Sequence, residues 1–153
     1  MYDARDDILE LFKQSTYDEE LDTFYYLTAS DGTNSVNIRV CKSEEADDKT
    51  LPLIVLSLSD ATSIPADVKG ELREDVCLID CNIYLPRTGE YDWKSLMDDI
   101  VNEITSTIWN AQASITNTYI ECIAYRDLGK LEKHPILRRL IEIRAIKLTS
   151  KPS

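Results

Sequence analysis

Residues 51–58 read Leu-Pro-Leu-Ile-Val-Leu-Ser-Leu, an apolar run broken only by Pro52 and Ser57. The run is short and bounded by polar residues, which favours a strand over a helix. Successive side chains of a strand point to opposite faces, so a strand apolar at consecutive positions needs cover on both sides. This segment is therefore expected at the centre of a sheet, and the rest of the chain has to supply the cover.

Two segments can do so. Residues 92–113 carry Trp93, Leu96, Met97, Ile100, Ile104, Ile108 and Ala111 at steps of three and four, one stripe of a helix. Asp98, Asp99, Asn102 and Glu103 line its outside, and Asp92 caps its start. Residues 3–14 read as a first helix, with Asp3 as cap and Ala4, Ile8, Leu11 and Phe12 on one face. Both stripes have the spacing of core rather than of a cofactor box.

Other segments alternate. Residues 24–30 and 34–40 flank Asp31-Gly32-Thr33, where Gly32 supplies the positive φ of a tight hairpin, and Val36, Ile38 and Val40 share one face. In residues 76–85, Cys77, Ile79, Cys81, Ile83 and Leu85 point one way, while Val76, Leu78, Asp80, Asn82 and Tyr84 point the other. Residues 118–126 oppose Ile120, Cys122 and Ala124 to Tyr119, Glu121, Ile123 and Tyr125. Residues 138–148 set Ile141, Ile143 and Ala145 against Glu142 and Arg144. Residues 42–50, 59–74 and 127–135 read as polar loops, and 149–153 as a frayed tail. The expected fold is α+β: one domain over residues 1–153, in the order α–ββ–β–β–α–β–β. Its single sheet, mainly antiparallel or mixed, carries the N-terminal helix and the long central helix on one face.

The 153 residues hold 17 Lys and Arg against 28 Asp and Glu, a formal charge of -11. Such a chain repels a phosphate backbone, so no specific nucleic-acid binding is expected. Acid gathers in Asp18-Glu19-Glu20 and in residues 44–48, and base near the end in Lys130, Lys133, Arg138, Arg139, Arg144 and Lys147. A split of this kind can orient a subunit against its own copies or simply serve solubility. No apolar window has the length of a secretory signal or a membrane span, so a cytosolic protein is expected.

The residues carry little chemistry. Cys41, Cys77, Cys81 and Cys122 lie in strand-like runs without a C-x-x-C pair and read as small buried hydrophobes. His134, the one histidine, precedes Pro135 in a charged segment and reads as a surface residue. The four glycines are scattered, which disfavours a phosphate cradle. Asp80 and Glu121 could suggest a metal-dependent nuclease, but Glu121 is followed by Cys122-Ile123 where a lysine belongs, and Glu142-Ile143-Arg144 places an arginine there. No enzyme, metal or cofactor is expected.

An ordered series of features resembles the tail terminator proteins of long-tailed phages. An amphipathic first helix opens it, and the Pro-opened strand Leu51-Pro52-Leu53-Ile54-Val55-Leu56-Ser57-Leu58 follows. A polar loop leads to a strand ending Cys81-Asn82-Ile83-Tyr84-Leu85-Pro86, then to the helix start Asp92-Trp93-Lys94-Ser95-Leu96-Met97-Asp98-Asp99. The closing strand reads Leu140-Ile141-Glu142-Ile143-Arg144-Ala145-Ile146. The hairpin at 24–40 and the acidic stretch after it depart from the compact members as an insertion. The resemblance implies a structural virion protein, made in the host cytoplasm and placed in the tail or neck. It would form a homo-oligomeric, hexameric ring that stops growth of the tail-tube protein and joins the neck or head-completion protein. The contact elements expected are residues 60–74 and 127–137, with Asp67, Lys69, Arg73, Arg87, Lys130, Lys133, Arg138 and Arg139 as interface residues. The alternatives are another neck or tail-completion protein, a cytosolic adaptor for one protein partner, and the nuclease.

Overall fold

The computed structural model describes residues 2–46, 51–87, 89, 91–111, 118–127 and 136–150. In chain order the elements are α1 (Arg5–Glu10), β1 (Lys13–Asp18), β2 (Thr23–Ser30), β3 (Ser35–Lys42), a short 3-10 turn (Ser43–Glu45), β4 (Leu53–Pro65), β5 (Leu72–Pro86), α2 (Trp93–Asn110), β6 (Thr118–Asp127) and β7 (Ile136–Ser150). The strands form one curled, mixed sheet in the order β1-β2-β3-β4-β5-β7-β6. Among the described strands only β3 and β4 pair in parallel.

The apolar run at 51–58 lies where its pattern demands. β4 is the fourth of seven strands, and Leu53, Ile54, Val55 and Leu56 are all buried. Ile54 and Leu56 enter the main core with both helices. Leu53 and Val55 face the other way, against Cys41 and the half-buried Ala46 and Tyr84. Burying each of these aliphatic side chains contributes roughly 1.5–3 kcal/mol. β5 keeps its alternation, with Cys77, Ile79, Cys81, Ile83 and Leu85 all in the main core.

α2 begins at the β2–β3 turn and ends on β6. The Asp92 carboxylate accepts the Ser95 N–H (3.3 Å) and hydroxyl (2.8 Å), capping the helix. The Asp31 carboxylate accepts the Asp92 N–H, Asp99 accepts the Ser30 N–H (2.8 Å), and Arg139 of β7 donates to Asp98 (3.1 Å). Eighteen helical residues reach about 27 Å. The five strand spacings from β2 to β6 come to about 24 Å. One helix can therefore cross this part of the sheet, and the expected stripe from Trp93 to Ala111 is buried beneath it.

The observed order is α–β–ββ–β–β–α–β–β, with one strand more than expected. The first helix stops at Glu10 instead of Gln14, because residues 13–18 (Lys-Gln-Ser-Thr-Tyr-Asp) offer no apolar position to extend its stripe and form β1 instead. Residues 59–74 are likewise no loop. β4 runs on to Pro65 and β5 begins at Leu72, leaving only residues 66–71 as the turn. Their polarity reflects strands that leave the helices' cover and are wet on both faces. β7 follows them, pairing Thr149 with Arg73 and Ser150 with Leu72, so these two residues of the supposed tail are strand. In β6 a bulge between Cys122 and Ala124 reverses the alternation, and Tyr125 pairs with Ile141, whose side chain is in the core.

α1 is tied down by charge. The Asp3 carboxylate accepts the Arg5 N–H (3.0 Å) and holds its guanidinium, which also donates to Glu44 of the 3-10 turn. The Arg5 hydrogen bond holds both Asp3 and Glu44 below the usual carboxylate range. Carboxylates depressed in the folded state stabilise it above their unfolded pKa, and that contribution is lost as pH falls through the folded value. The thermal midpoint is expected to fall below about pH 4, and less steeply in Arg5→Ala. Separately, Ile100→Ala is expected to cost about 2–5 kcal/mol in urea unfolding.

Candidate interaction surfaces

Past the helices, β4, β5 and β7 continue together as a three-stranded tongue. Its turn is held by the Asp67 carboxylate, which accepts the Leu72 N–H (3.2 Å), and by the Ala66 N–H donating to the Leu72 carbonyl (2.9 Å). Gly70 takes φ +70 there, a value that an L side chain rarely adopts. Val68, at the tip, is fully exposed. Along the strands, Ile64 and Leu148 flank Glu74 in one cross-strand row, and Thr62, Val76 and Ile146 form the next. These rows lie on the face away from the helices, where Ile64, Leu72 and Leu148 are exposed and Val76 and Ile146 half-buried. Clustered apolar side chains open to water mark an interaction surface.

A second feature lies at the far edge of the sheet. Thr105, Ile108 and Trp109 of α2 and Ile120, Cys122 and Tyr125 of β6 line a cleft of about 550 Å³, with Tyr119 and Glu121 at its border. Trp109 is 77% exposed and Tyr125 55%. Tyr125 reaches the cleft only through the β6 bulge, so a strict alternation of the sequence could not place it there. Burial pushes the Cys122 thiol up to about 11 and the Cys81 thiol up to about 12. Both are protonated at neutral pH and pack as small apolar groups.

The expected interface residues fall in separate places. Asp67, Lys69 and Arg73 all lie at the tongue, where the Arg73 guanidinium donates to the Ser63 hydroxyl (2.9 Å). Arg87 lies beyond the other end of β5, roughly 45 Å away along the strand. Arg138 and Arg139 are consecutive in β7 and so point to opposite faces. Arg138 donates to the Asn82 side chain (2.8 Å) and stacks over Tyr84, whereas Arg139 is held by Asp98 under α2. These two cannot meet one acidic patch together. Lys130, Lys133 and His134, with most of the expected contact segment 127–137, lie outside the described residues. Two of the carboxylates weighed for metal chemistry are engaged by arginines: Arg144 donates to Glu121, and Arg126 pairs with Glu142 (3.3 Å). Among the described residues no three His, Cys, Asp or Glu side chains group as a metal site.

The two sides of the sheet differ in charge once the turn after β1 and the inner strand β7 are counted with the outer strands. Residues 13–22, which form β1 and its turn, carry Asp18, Glu19, Glu20 and Asp22 against Lys13 alone. β6 and β7 carry Arg126, Arg138, Arg139, Arg144 and Lys147 against Glu121, Asp127 and Glu142. Exposed aromatic residues accompany both: Tyr17 meets Phe24 edge-on at 5.0 Å beside the first, and Tyr119 and Tyr125 lie on the second.

No protein family matches the chain, and a search of curated proteins finds no match. With a thiol pKa near 11, Cys122 carries on the order of 100-fold less thiolate at pH 8 than a free cysteine. Alkylation of the native protein by iodoacetamide is expected to be slower at Cys122 by that factor. Its rate should rise about tenfold per pH unit up to the thiol pKa, as peptide mapping by mass spectrometry can check.

Proposed function

We propose that this chain is a structural subunit that works by assembly, and that it is a ring-forming tail terminator of a tailed virus. In this reading a hexameric ring caps the last ring of tail-tube protein, stops its growth, and presents its other side to a neck or head-completion protein. The sequence resemblance suggests the role. The observation that carries it is the tongue, which takes Val68, Ile64, Leu72 and Leu148 out of the core and into water. An isolated chain gains nothing by holding four large apolar side chains there, whereas a docked one buries them.

Growth stops on this account because the two sides of the ring differ. A heterologous contact between copies closes when its rotation closes. The closed ring then offers one face that matches a tube and one that does not. The cleft beside Trp109 favours a second reading, a monomeric adaptor that takes one apolar side chain of a single protein partner. Replacing the cleft residue Trp109 with Ser would abolish partner binding in that reading and leave tube capping intact in the first.

The direct test supplies the protein to growing tail tubes and measures tube length by electron microscopy. Wild-type protein is expected to give tubes of uniform length bearing a terminal ring. Ile64→Asp/Leu148→Asp is expected to lower capping by at least about tenfold, equivalent to about 1.4 kcal/mol, with an unchanged urea midpoint. Tubes of equal length with both proteins would contradict the reading.

A further inference from the structure

We propose that the tongue docks on a basic spot of the tail tube, where a lysine or arginine set among apolar side chains meets the carboxylate of Glu74. The inference rests on the tail-terminator reading and deepens it, since it gives the chemistry of the surface that the tongue must meet. Glu74 lies in β5 between Ile64 of β4 and Leu148 of β7, its two cross-strand neighbours. Side chains in such a row leave the sheet on one face, with Cβ atoms about 5 Å apart. Ile64 is 49% exposed and Leu148 47%, while Glu74 between them is half-buried. Val76 and Ile146, in the next row of this face, are apolar and half-buried. A carboxylate in that setting loses part of its hydration and gains nothing from its neighbours.

Neighbouring carboxylates are provided for. Asp75, the next residue but on the opposite face, accepts the Thr149 hydroxyl (3.3 Å) and stands in register with Lys147. Glu121 and Glu142, on the same face as Glu74 but further across the sheet, are engaged by Arg144 and Arg126. Among the described residues the Glu74 carboxylate makes no hydrogen bond or ion pair, and neither do those of Asp60 and Asp80 on the same face. The unpaired charge on the β4–β5 side of this face is therefore negative only. That fixes the sign of the partner. Any surface that covers Ile64, Leu72 and Leu148 also covers Glu74, and a cation there offsets the lost hydration. An acidic or purely apolar partner would leave a buried charge alone. A second copy laid tongue face to tongue face would bring carboxylates together. A guanidinium or ammonium can donate to the carboxylate while its stem lies along the apolar row.

The experiment repeats the tube-length assay on growing tail tubes with full-length chains changed at Glu74. Glu74→Gln keeps the size of the side chain and removes its charge, and is expected to lower capping at least about tenfold. Glu74→Lys sets like charges against each other and is expected to lower it at least about 100-fold. Neither change is expected to lower the urea midpoint, because the free chain gives this carboxylate no partner to lose. Asp75→Asn, on the opposite face, is expected to cap as the wild type does. Full capping by Glu74→Gln, with capping still lost in Ile64→Asp/Leu148→Asp, would overturn the proposal and leave the tail-terminator reading standing. An equal loss in Asp75→Asn would do the same, since the tongue would then respond to any lost charge. If Glu74→Lys forms no rings by light scattering, the face lies between copies, and the proposal also falls. A wild-type protein that caps no tubes would overturn both the proposal and the reading beneath it.

Discussion

The fold depends on the burial of β4 from both sides. Ile54 and Leu56 have no exposure because α1 and α2 lie over them, and Leu53 and Val55 are covered from the other side by Cys41, Ala46 and Tyr84. This strand also joins the two halves of the sheet, as the parallel partner of β3 and the antiparallel partner of β5. Removing its apolar character would separate the β1–β2–β3 half from the β5–β7–β6 half. The surface proposed to dock is an extension of that rigid centre, since the tongue continues β4 itself.

Stability and assembly thus draw on different residues. The core is built mainly of aliphatic and small side chains around Phe12 and Trp93, with the thiols of Cys77 and Cys81 held protonated by burial. The exposed large apolar residues gather instead at the tongue, at the cleft and on the outer strands. Surface changes at such positions alter stability by only about 0.5 kcal/mol, so their role can be probed without unfolding the protein. The arginines divide in the same way. Arg5 fastens α1 to the 3-10 turn and Arg139 fastens α2 to the sheet, whereas Arg73 and Arg126 lie exposed at the tongue and on the outer strand.

Much of this was legible from periodicity. The stripe from Trp93 to Ala111, the alternation from Cys77 to Leu85 and the two-sided run at 51–58 each report a burial pattern that the structure reproduces. The misreadings share a cause. β1 and the distal parts of β4 and β5 are strands held by backbone pairing with wet side chains, so their polar sequences carry no period. Tyr125 was assigned to the wrong face because the bulge at Ile123 adds a residue that no alternation announces. Among the site residues, the sequence grouped Arg138 with Arg139 as neighbours, although consecutive strand positions face apart. Asp67, Lys69 and Arg73 lie on a strand-borne tongue rather than in a long loop.

The most direct test of the central claim, that free energy is released where one copy meets the next, is the native mass of the wild-type protein. It should be followed by native mass spectrometry across a wide concentration range, alone and after addition of tail-tube protein. A single closed multiple of the chain mass, appearing on concentration or on contact with tubes and without a ladder of larger species, is the predicted result. One chain mass under every condition would contradict the account.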